Sequence, residues 1–299
     1  MDNRDCHYIQ QVAELGETIE ILASEDIRST MGINLLKEGA RINRRVLHRL
    51  LPQPLLRPID YSILMEHTVG RDTLIAEGVG FMSDASDMAA LLRSLPTVGL
   101  AERCFARTRL NIAMQNKLTV AYRQRPTLFA HSIRVAMLSS LIGEQLRLGD
   151  EELELVTTAG LFHDIGELHC DPAILDATDP WADEGQGHLH SHPVTGYFIL
   201  REMQSYHPLV RRAVIEHHER LDGSGYPKRI KSHEICRPAR ILSLVDYADS
   251  LAQRTTLQDV RRILKLSDGQ FDREAVAAFT GLIHELEASG RRGAVPSDR

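Results

Sequence analysis

The chain has 299 residues and a net charge of −6, and 43% of its residues are hydrophobic. This length allows one large domain with a smaller one beside it, and the composition is that of an ordinary globular protein. The negative charge argues against a large DNA or RNA surface, which requires an excess of lysine and arginine. No hydrophobic run approaches the ~18 residues of a membrane-spanning helix, so no membrane partner is expected.

The cysteines and the first residues are those expected of a cytoplasmic protein. The cysteines are widely spaced and form no CxxC pair, so reduced thiols are expected at all four: Cys6, Cys104, Cys170 and Cys236. The N-terminus carries Asp2, Arg4 and Asp5 and lacks a hydrophobic segment, so it is not predicted to be a secretory signal.

Residues 1–64 are predicted to form a small accessory module of mixed strand and helix. The hydrophobic and β-branched residues within 18–23 and 32–39 favour two short strands. The spacing over 42–51 is that of a helix, and three prolines within 52–58 end it. The module carries no recognisable chemistry. It could form a homodimer or bind a signalling protein.

The remainder is predicted to be mainly α-helical, with a helical linker over 65–117, a larger domain over 118–290 and a frayed tail over 291–299. Gly149 is expected to end one long helix and Asp150 to cap the next. Helices are predicted in the larger domain over residues 127–148, 150–166, 193–205, 208–219, 238–253 and 273–288. A polar loop over 171–187 could cover a site. The absence of strand–helix alternation and of GxGxxG or Walker loops excludes dinucleotide-binding and P-loop folds.

Histidines and carboxylates suggest a metal site within the larger domain. His163 and Asp164 place a nitrogen and an oxygen ligand side by side at a predicted helix end. His217 and His218 are adjacent, and neighbouring helical residues point ~100° apart. One hydrophobic face therefore cannot bury both. Asp246 lies on a later predicted helix, where a buried carboxylate would be costly without a cation.

The most specific pattern is the eleven-residue stretch 217–227. It reads His-His-Glu-Arg-Leu-Asp-Gly-Ser-Gly-Tyr-Pro. This stretch matches HHExxDGxGYP, the most specific motif of the HD-GYP family of HD phosphohydrolases, at every defined position. Further matching residues are His131, the pair His163-Asp164, His192 to Gly196, Arg240 and Asp246 to Asp249. The chain therefore resembles the HD-GYP family over roughly residues 118–275.

The resemblance implies an HD-type helical bundle that binds two divalent metal ions. One ion would be held by His131, His163, Asp164 and Asp246. The second would be held by Asp164, His192, His217 and His218, with Asp164 bridging. Mixed imidazole and carboxylate ligands favour first-row ions such as Fe or Mn. Such a pair lowers the pKa of a bridging water and clamps the attacking and leaving oxygens of an in-line displacement. The predicted catalytic residues are Asp164 and Glu167.

Family members hydrolyse cyclic dinucleotides, chiefly cyclic di-GMP, to the linear dinucleotide or to GMP. The resemblance predicts substrate contacts from Asp222, Gly223, Gly225, Tyr226, Pro227 and Arg240. Glycines let the backbone approach a ligand, and Pro227 stiffens the end of the loop. We expect Glu219 and Asp222 to orient the loop and its histidines rather than to bind metal.

The chain departs from the family at three places. Glu167 stands where the family usually has a lysine that meets a substrate phosphate. A carboxylate there repels a phosphodiester unless it pairs with a cation or touches a metal. The Arg-Pro-Tyr-Arg segment after the Asp246 helix is absent, and Arg254-Thr255-Thr256 stands nearby. Thr127 replaces an additional glutamate of some members, which favours two metals over three.

Two alternatives to a cyclic di-GMP phosphodiesterase are open. One is a catalytically impaired module that keeps its metals and acts as a cyclic-dinucleotide-responsive or protein-binding scaffold, which Glu167 favours and the complete ligand set opposes. The other is a phosphohydrolase of another nucleotide. Outside the ligand set, His188 and His190 are predicted to be loop residues. We expect surface or ligand-supporting positions for His169, His207 and His233.

Overall fold

The computed structural model describes residues 6–50, 52–93, 99–106, 108–171 and 190–293. Within these ranges the fold is mainly helical, as the sequence predicts. The helices are α1 (Cys6–Leu15), α2 (Arg44–Leu50), α3 (Arg71–Met82), α4 (Asp87–Arg93), α5 (Leu100–Ala106), α6 (Ile112–Gln124), α7 (Pro126–Gln145), α8 (Asp150–Phe162), α9 (His192–Glu202), α10 (Pro208–Glu216), α11 (Arg237–Ala252), α12 (Leu257–Leu266) and α13 (Arg273–Gly293). Short 3-10 helices cover Ile59–Tyr61, Ile165–His169 and Ser232–Glu234.

Two small antiparallel sheets lie near the N-terminus. Strand β1 (Ile21–Ala23) pairs with β4 (Ile63–Met65), and β2 (Ile27–Arg28) pairs with β3 (Asn34–Leu36). Strands β1 and β3 confirm the two predicted strand segments in shorter form. Helix α1 was not predicted. Strands β2 and β4 were not predicted either, because two- and three-residue strands are too short to show an alternating pattern.

The helices of the larger predicted domain pack around α7. This helix contacts α6, α8 and α11, and α10 packs against both α8 and α11. The prediction that Asp150 caps α8 is wrong: Gly149 is the N-cap, and Asp150 lies in the first turn with Glu151 and Glu152. Their carboxylates there are favoured by the positive end of the helix dipole. Helix α12 was also missed; its N-cap Thr256 accepts the amide N–H of Asp259 at 3.3 Å.

Buried hydrophobic side chains form one cluster that extends from Tyr8 in α1 to Ile283 in α13. The N-terminal elements therefore share a core with the helical bundle. None of the helices in the described ranges is both long and hydrophobic enough to cross a membrane. The predicted loop over 171–187 lies outside the described residues except for Asp171. In the predicted tail, α13 continues to residue 293, and the rest lies outside them.

Candidate metal centre

Five helices bring the predicted metal ligands together. His131 lies within α7 and Asp246 within α11, whereas the other ligands lie at helix ends. His163 and Asp164 directly follow α8, His192 is the first residue of α9, and His217 and His218 directly follow α10. A side chain at a helix end has neighbouring backbone groups free to orient it, because the last carbonyls lack partners within the helix.

The first cluster contains His131, His163, Asp164 and Asp246. The Nε2 atom of His131 lies 3.2 Å from Nε2 of His163 and 3.2 Å from Oδ1 of Asp246. The Oδ2 atom of Asp164 lies 3.0 Å from Nε2 of His163 and 3.6 Å from Nε2 of His131. The ligand atoms of His131, His163 and Asp164 all lie within 4.8 Å of one another, and Oδ1 of Asp246 lies beside the two imidazoles.

The second cluster uses the other oxygen of Asp164. Its Oδ1 lies 3.2 Å from Nε2 of His192 and 3.5 Å from Nε2 of His217. The two imidazole Nε2 atoms are 3.3 Å apart. His218 completes the group, in which all four ligand atoms lie within 4.8 Å of one another. Its Nδ1 also lies 3.7 Å from Oδ2 of Asp246. Asp164 thus offers one oxygen to each cluster, as a bridging carboxylate must.

The hydrogen bonds on the far side of three imidazoles indicate that the clusters fit cations. Nδ1 of His163 lies 2.8 Å from the carbonyl oxygen of Gly160, and Nδ1 of His217 lies 2.6 Å from that of Val214. A carbonyl only accepts, so these Nδ1 atoms carry the protons and the Nε2 lone pairs point into the clusters. Nδ1 of His131 lies 2.8 Å from Oδ2 of Asp249. Converging lone pairs and carboxylates repel one another unless a cation lies between them.

In the absence of metal, the pKa of His131 in the first cluster is raised and the pKa of His218 in the second is lowered. Burial lowers the pKa of His131, but the hydrogen bonds that His131 donates to Asp246 and Asp249 outweigh it and raise that pKa well above its usual value. Burial, together with neighbouring His217, holds the pKa of His218 well below its usual value. Asp164 is buried, yet His163 keeps the pKa of this carboxyl well below its normal range. The shared carboxylate is therefore ionised and available to a cation.

Two glycines allow the chain to close around the clusters. A side-chain carbon on Gly166 would overlap the carbonyl of His192, so only glycine lets the turn after Asp164 lie against the start of α9. A side-chain carbon on Gly225 would overlap the backbone of residues 218–220. This contact folds the glycine-rich loop back onto the end of α10. Both approaches require the missing Cβ of glycine.

The loop after His218 is held by the two acidic residues that the sequence analysis singled out. Buried Glu219 accepts the backbone N–H of Lys228 at 2.6 Å and of Ile230 at 3.2 Å. Exposed Asp222 accepts the N–H and hydroxyl of Ser224 at 2.8 and 2.6 Å. These contacts are those of loop-orienting residues.

Comparisons with known proteins show what these helices are similar to. The model of the HD domain matches residues 128–251. This part of the chain is therefore similar to an HD domain. A structure of a HDG"Y"P protein from Bdellovibrio bacteriovorus aligns with 81% of this chain and 79% of that chain, with a TM-score of 0.51 and 16% identity. At that identity, the alignment shows that the fold is shared.

Curated relatives extend the comparison to the HD-GYP family. The chain is 30% identical over 182 residues to a cyclic di-GMP phosphodiesterase of Pseudomonas aeruginosa, covering 56% of this chain and 44% of that protein. It is 28% identical over 217 residues to 3'3'-cGAMP-specific phosphodiesterase 1 of Vibrio cholerae, covering 70% of this chain and 49% of that protein. The chain thus spans less than half the length of either relative. These comparisons confirm the predicted resemblance.

Of the predicted substrate residues, Tyr226 lies beside the metal clusters. Arg240 instead contacts Ile235 and Asp272. The Tyr226 ring centre is 4.6 Å from that of His218, and burial and Asp246 raise the pKa of its phenol. Arg240 donates to the carbonyl of Ile235 at 2.8 Å and lies 3.7 Å from Asp272. Six residues before Asp246, it points about 120° away from that ligand around α11. Its substrate contact stays a prediction.

Glu167 lies in the 3-10 helix that follows Asp164. It is mostly buried, and its Oε2 is 3.9 Å from Nη2 of Arg125, whose side chain is also mostly buried. Burial, and then the charge of Asp164, raise the pKa of Glu167 to about 7. The carboxylate that replaces the usual lysine therefore faces an arginine, at the long end of ion-pair distances.

Asp249, which the sequence placed among the matching residues without a role, supports a ligand of the first cluster. Besides contacting His131, Asp249 accepts two hydrogen bonds from Arg134, Nε at 2.9 Å and Nη2 at 2.8 Å. It is completely buried. Asp249 lies three residues after Asp246, and Arg134 three after His131, so each pair shares a helix face. That spacing was the available signal.

The other histidines between residues 163 and 233 lie in different environments. His169 is buried and contacts Lys117, so a surface position for it is wrong, and a ligand-supporting position stays a prediction. His207 is exposed and caps α10, and His233 is exposed, as expected. His190 is an exposed turn residue whose ring centre lies 4.0 Å from that of Tyr226. His188 lies outside the described residues.

Proposed function

We propose that this HD domain is a metal-dependent phosphodiesterase that hydrolyses cyclic di-GMP to the linear dinucleotide or to GMP. The observation that carries the proposal is the position of Asp164, whose two oxygens each face a separate cluster of imidazole nitrogens. A carboxylate shared in this way suits a pair of ions. Several relatives whose names specify cyclic dinucleotide phosphodiesterases support the choice of substrate.

The proposed ligands are those of the two clusters, and Fe or Mn suits their mixed nitrogen and oxygen atoms. Two such ions would supply a water of lowered pKa and neutralise charge that develops on the phosphate. The residues of the chain fix the geometry. Asp249 and Arg134 hold the ring of His131, and the carbonyls of Gly160 and Val214 hold those of His163 and His217. Fixed ligands need no rearrangement during the reaction.

The glycine-rich loop is the proposed substrate contact. Gly225 lies against the backbone of residues 218–220, and Tyr226 packs beside the ring of His218. A ligand phosphate at the metals would therefore lie near the Tyr226 ring and near backbone that carries no side chain at Gly223 and Gly225. An aromatic ring offers a stacking surface to a nucleobase. Asp222 and Pro227 would hold the loop in shape, and Asp164 and Glu167 remain the proposed catalytic pair.

The direct test measures turnover and metal content on the same preparation. Metal-loaded protein should hydrolyse cyclic di-GMP, and removal of the metals by a chelator should abolish the activity. The variant His217→Ala should lose metal and turnover, because it removes a ligand atom. The matched control His284→Ala changes an exposed histidine of α13 and should retain both. Protein that keeps two metals but hydrolyses no cyclic dinucleotide would exclude the proposed activity.

A second candidate function is a cyclic-dinucleotide-responsive or protein-binding scaffold, and Glu167 favours it. Its carboxylate stands where the family has a phosphate-binding lysine. The contact with Arg125 opposes that charge and weakens the objection to catalysis. Binding of cyclic di-GMP without turnover would favour the scaffold. Faster turnover of 3'3'-cGAMP than of cyclic di-GMP would instead reassign the substrate.

We further propose the domain organisation and setting that the sequence suggests. Residues 1–64 would be an accessory module and 65–117 a helical linker to the catalytic domain over 118–290. The accessory module would support a homodimer or bind a signalling protein, and the chain would act in the cytoplasm. Light scattering on the purified protein tests the dimer directly.

A further inference from the structure

Helix α1 packs against the turn that follows Asp164. The 3-10 helix Ile165–His169 begins directly after Asp164 and packs against α1. The side-chain amide of Gln11 donates to the carbonyl of Leu168 at 2.9 Å, in a buried position. The ring of Tyr8 stacks on that of His169, with ring centres 5.0 Å apart. Residues at the start of the chain thus hold the end of this turn.

Lys117 of α6 makes a second attachment to the same turn. Its ammonium lies 3.1 Å from Nε2 of His169 and 2.8 Å from Oδ2 of Asp60. It also lies 3.9 Å from the centre of the Tyr8 ring. Lys117 is only 3% exposed. A buried ammonium is costly unless it is paired, so this geometry fixes His169 relative to α6 and to the helix Ile59–Tyr61.

The contacts continue from this turn to ligands of the second cluster. Gly166 lies so close to the carbonyl of His192 that no side chain fits between them. A shift of the turn therefore displaces His192 as well as Asp164. Asp164 is shared by both clusters, but His192 belongs to the second alone, so the second cluster is disturbed at two ligands and the first at one. In the first cluster, His131, His163 and Asp246 come from α7, α8 and α11, which pack directly against one another. That packing does not depend on the turn.

We propose that Gln11 and Lys117 are positioning residues for the second metal cluster. Neither is a ligand, and each acts through the turn after Asp164. The inference rests on the proposed function, because it requires that two metals bind. By this inference helix α1 supports the metal centre, although Gln11 and Leu168 are 157 residues apart in the chain.

The test compares Gln11→Leu with Gln10→Leu. Both substitutions lie on α1, but Gln10 is exposed and Gln11 is buried against the turn. Each protein is loaded with Mn²⁺, dialysed and analysed for metal content, and its affinity is measured by competition with a chelator. Gln11→Leu should bind one of its two ions about 10- to 100-fold more weakly, the range for residues that orient ligands. Gln10→Leu should match the wild type.

Turnover separates positioning from a general loss of stability. Gln11→Leu should lower kcat and leave the KM for cyclic di-GMP nearly unchanged, because Gln11 lies behind the turn. Excess Mn²⁺ should restore part of the lost kcat by refilling the weakened site. A fall in Tm alone, with both ions bound as tightly as in the wild type, would overturn the inference. Equal weakening of both ions would overturn it as well.

A second variant keeps the test decisive if Gln11→Leu does not fold. The double substitution Lys117→Met with Asp60→Asn removes both charges of the buried pair and avoids leaving one unpaired. It should also weaken one ion selectively, and full retention of two ions would count against the inference. Failure of the proposed function is distinguishable, since wild-type protein would then bind fewer than two ions or would bind both without hydrolysing a cyclic dinucleotide.

Discussion

The two metal clusters share Asp164 but are supported in different ways. In the first, His131 and Asp246 lie within the long helices α7 and α11, and Asp249 and Arg134 fix the His131 ring. In the second, every ligand lies at a helix end or in a turn. The first cluster is therefore determined by helix packing, and the second by how several turns meet.

This difference predicts that a substitution can weaken metal binding at one cluster and leave the other intact. Helix interiors are held by regular hydrogen bonds and by packing along their length, whereas turns rely on a few specific contacts. A substitution within α11 should weaken the first cluster, and one near the turn after Asp164 should weaken the second. Only a change in the shared carboxylate should affect both.

The largest effect is expected from Asp164→Asn. The amide retains one oxygen but loses the negative charge, and it turns a nitrogen that bears hydrogens toward one cluster. Both ions should be lost, together with all measurable hydrolysis of cyclic di-GMP. The control Asp268→Asn changes an exposed carboxylate that pairs with Arg273, and it should keep both. If Asp164→Asn retained two ions, the shared carboxylate would not bridge them.

Asp249→Asn should weaken the first cluster and leave the second unchanged. It removes the charge that holds the Nδ1 proton of His131 and the guanidinium of Arg134. We expect one ion to bind about 10- to 100-fold more weakly, while the other is unaffected. Chelator competition followed by elemental analysis measures this. Combining Asp249→Asn with Gln11→Leu should weaken both ions, and a combined effect no larger than either single one would show that the clusters are not independent.

Glu167→Lys tests how the turn after Asp164 supports the second cluster, because it reverses a charge on that turn. It would place an ammonium beside Arg125, where the structure has an ion pair. The repulsion should displace the turn and lower kcat/KM for cyclic di-GMP by about tenfold, equivalent to ~1.4 kcal/mol. Metal content should fall with it. The double variant Arg125→Glu with Glu167→Lys should recover activity. A lower KM in the single variant would instead indicate an unpaired Glu167 facing the substrate.

The smallest effect concerns protons released when metal binds near pH 7. The raised pKa of His131 means that its imidazole is protonated in the metal-free protein and must lose that proton to bind. The lowered pKa values of His217 and His218 mean that these rings are already neutral. The pKa of His163 is raised as well, so His217→Ala, which keeps the first cluster, should release at least one proton more per ion than His131→Ala. Calorimetry in two buffers with different ionisation enthalpies measures this, and equal release would contradict it.

Sequence reasoning located most of the helices and ligand-type residues, because helical spacing and a contiguous motif are local properties. Strands β1 and β3 and helix α11 were predicted close to their observed positions. The motif residues His217 and His218 were apparent for the same reason. Helix α1 was missed, and Asp249 was matched without a role. The spacing of Asp249 from Asp246 was visible, but the partners His131 and Arg134 lie more than 100 residues away.

The sequence by itself determined the helical class, the ligand types and the glycines that a close backbone approach requires. It could not decide which oxygen of Asp164 faces which imidazole, that Glu167 lies opposite Arg125, or that Gln11 reaches Leu168. Spacing along the chain specifies which residues share a helix face. Contacts between distant segments are decided by how those faces pack together, and only the tertiary structure contains that packing.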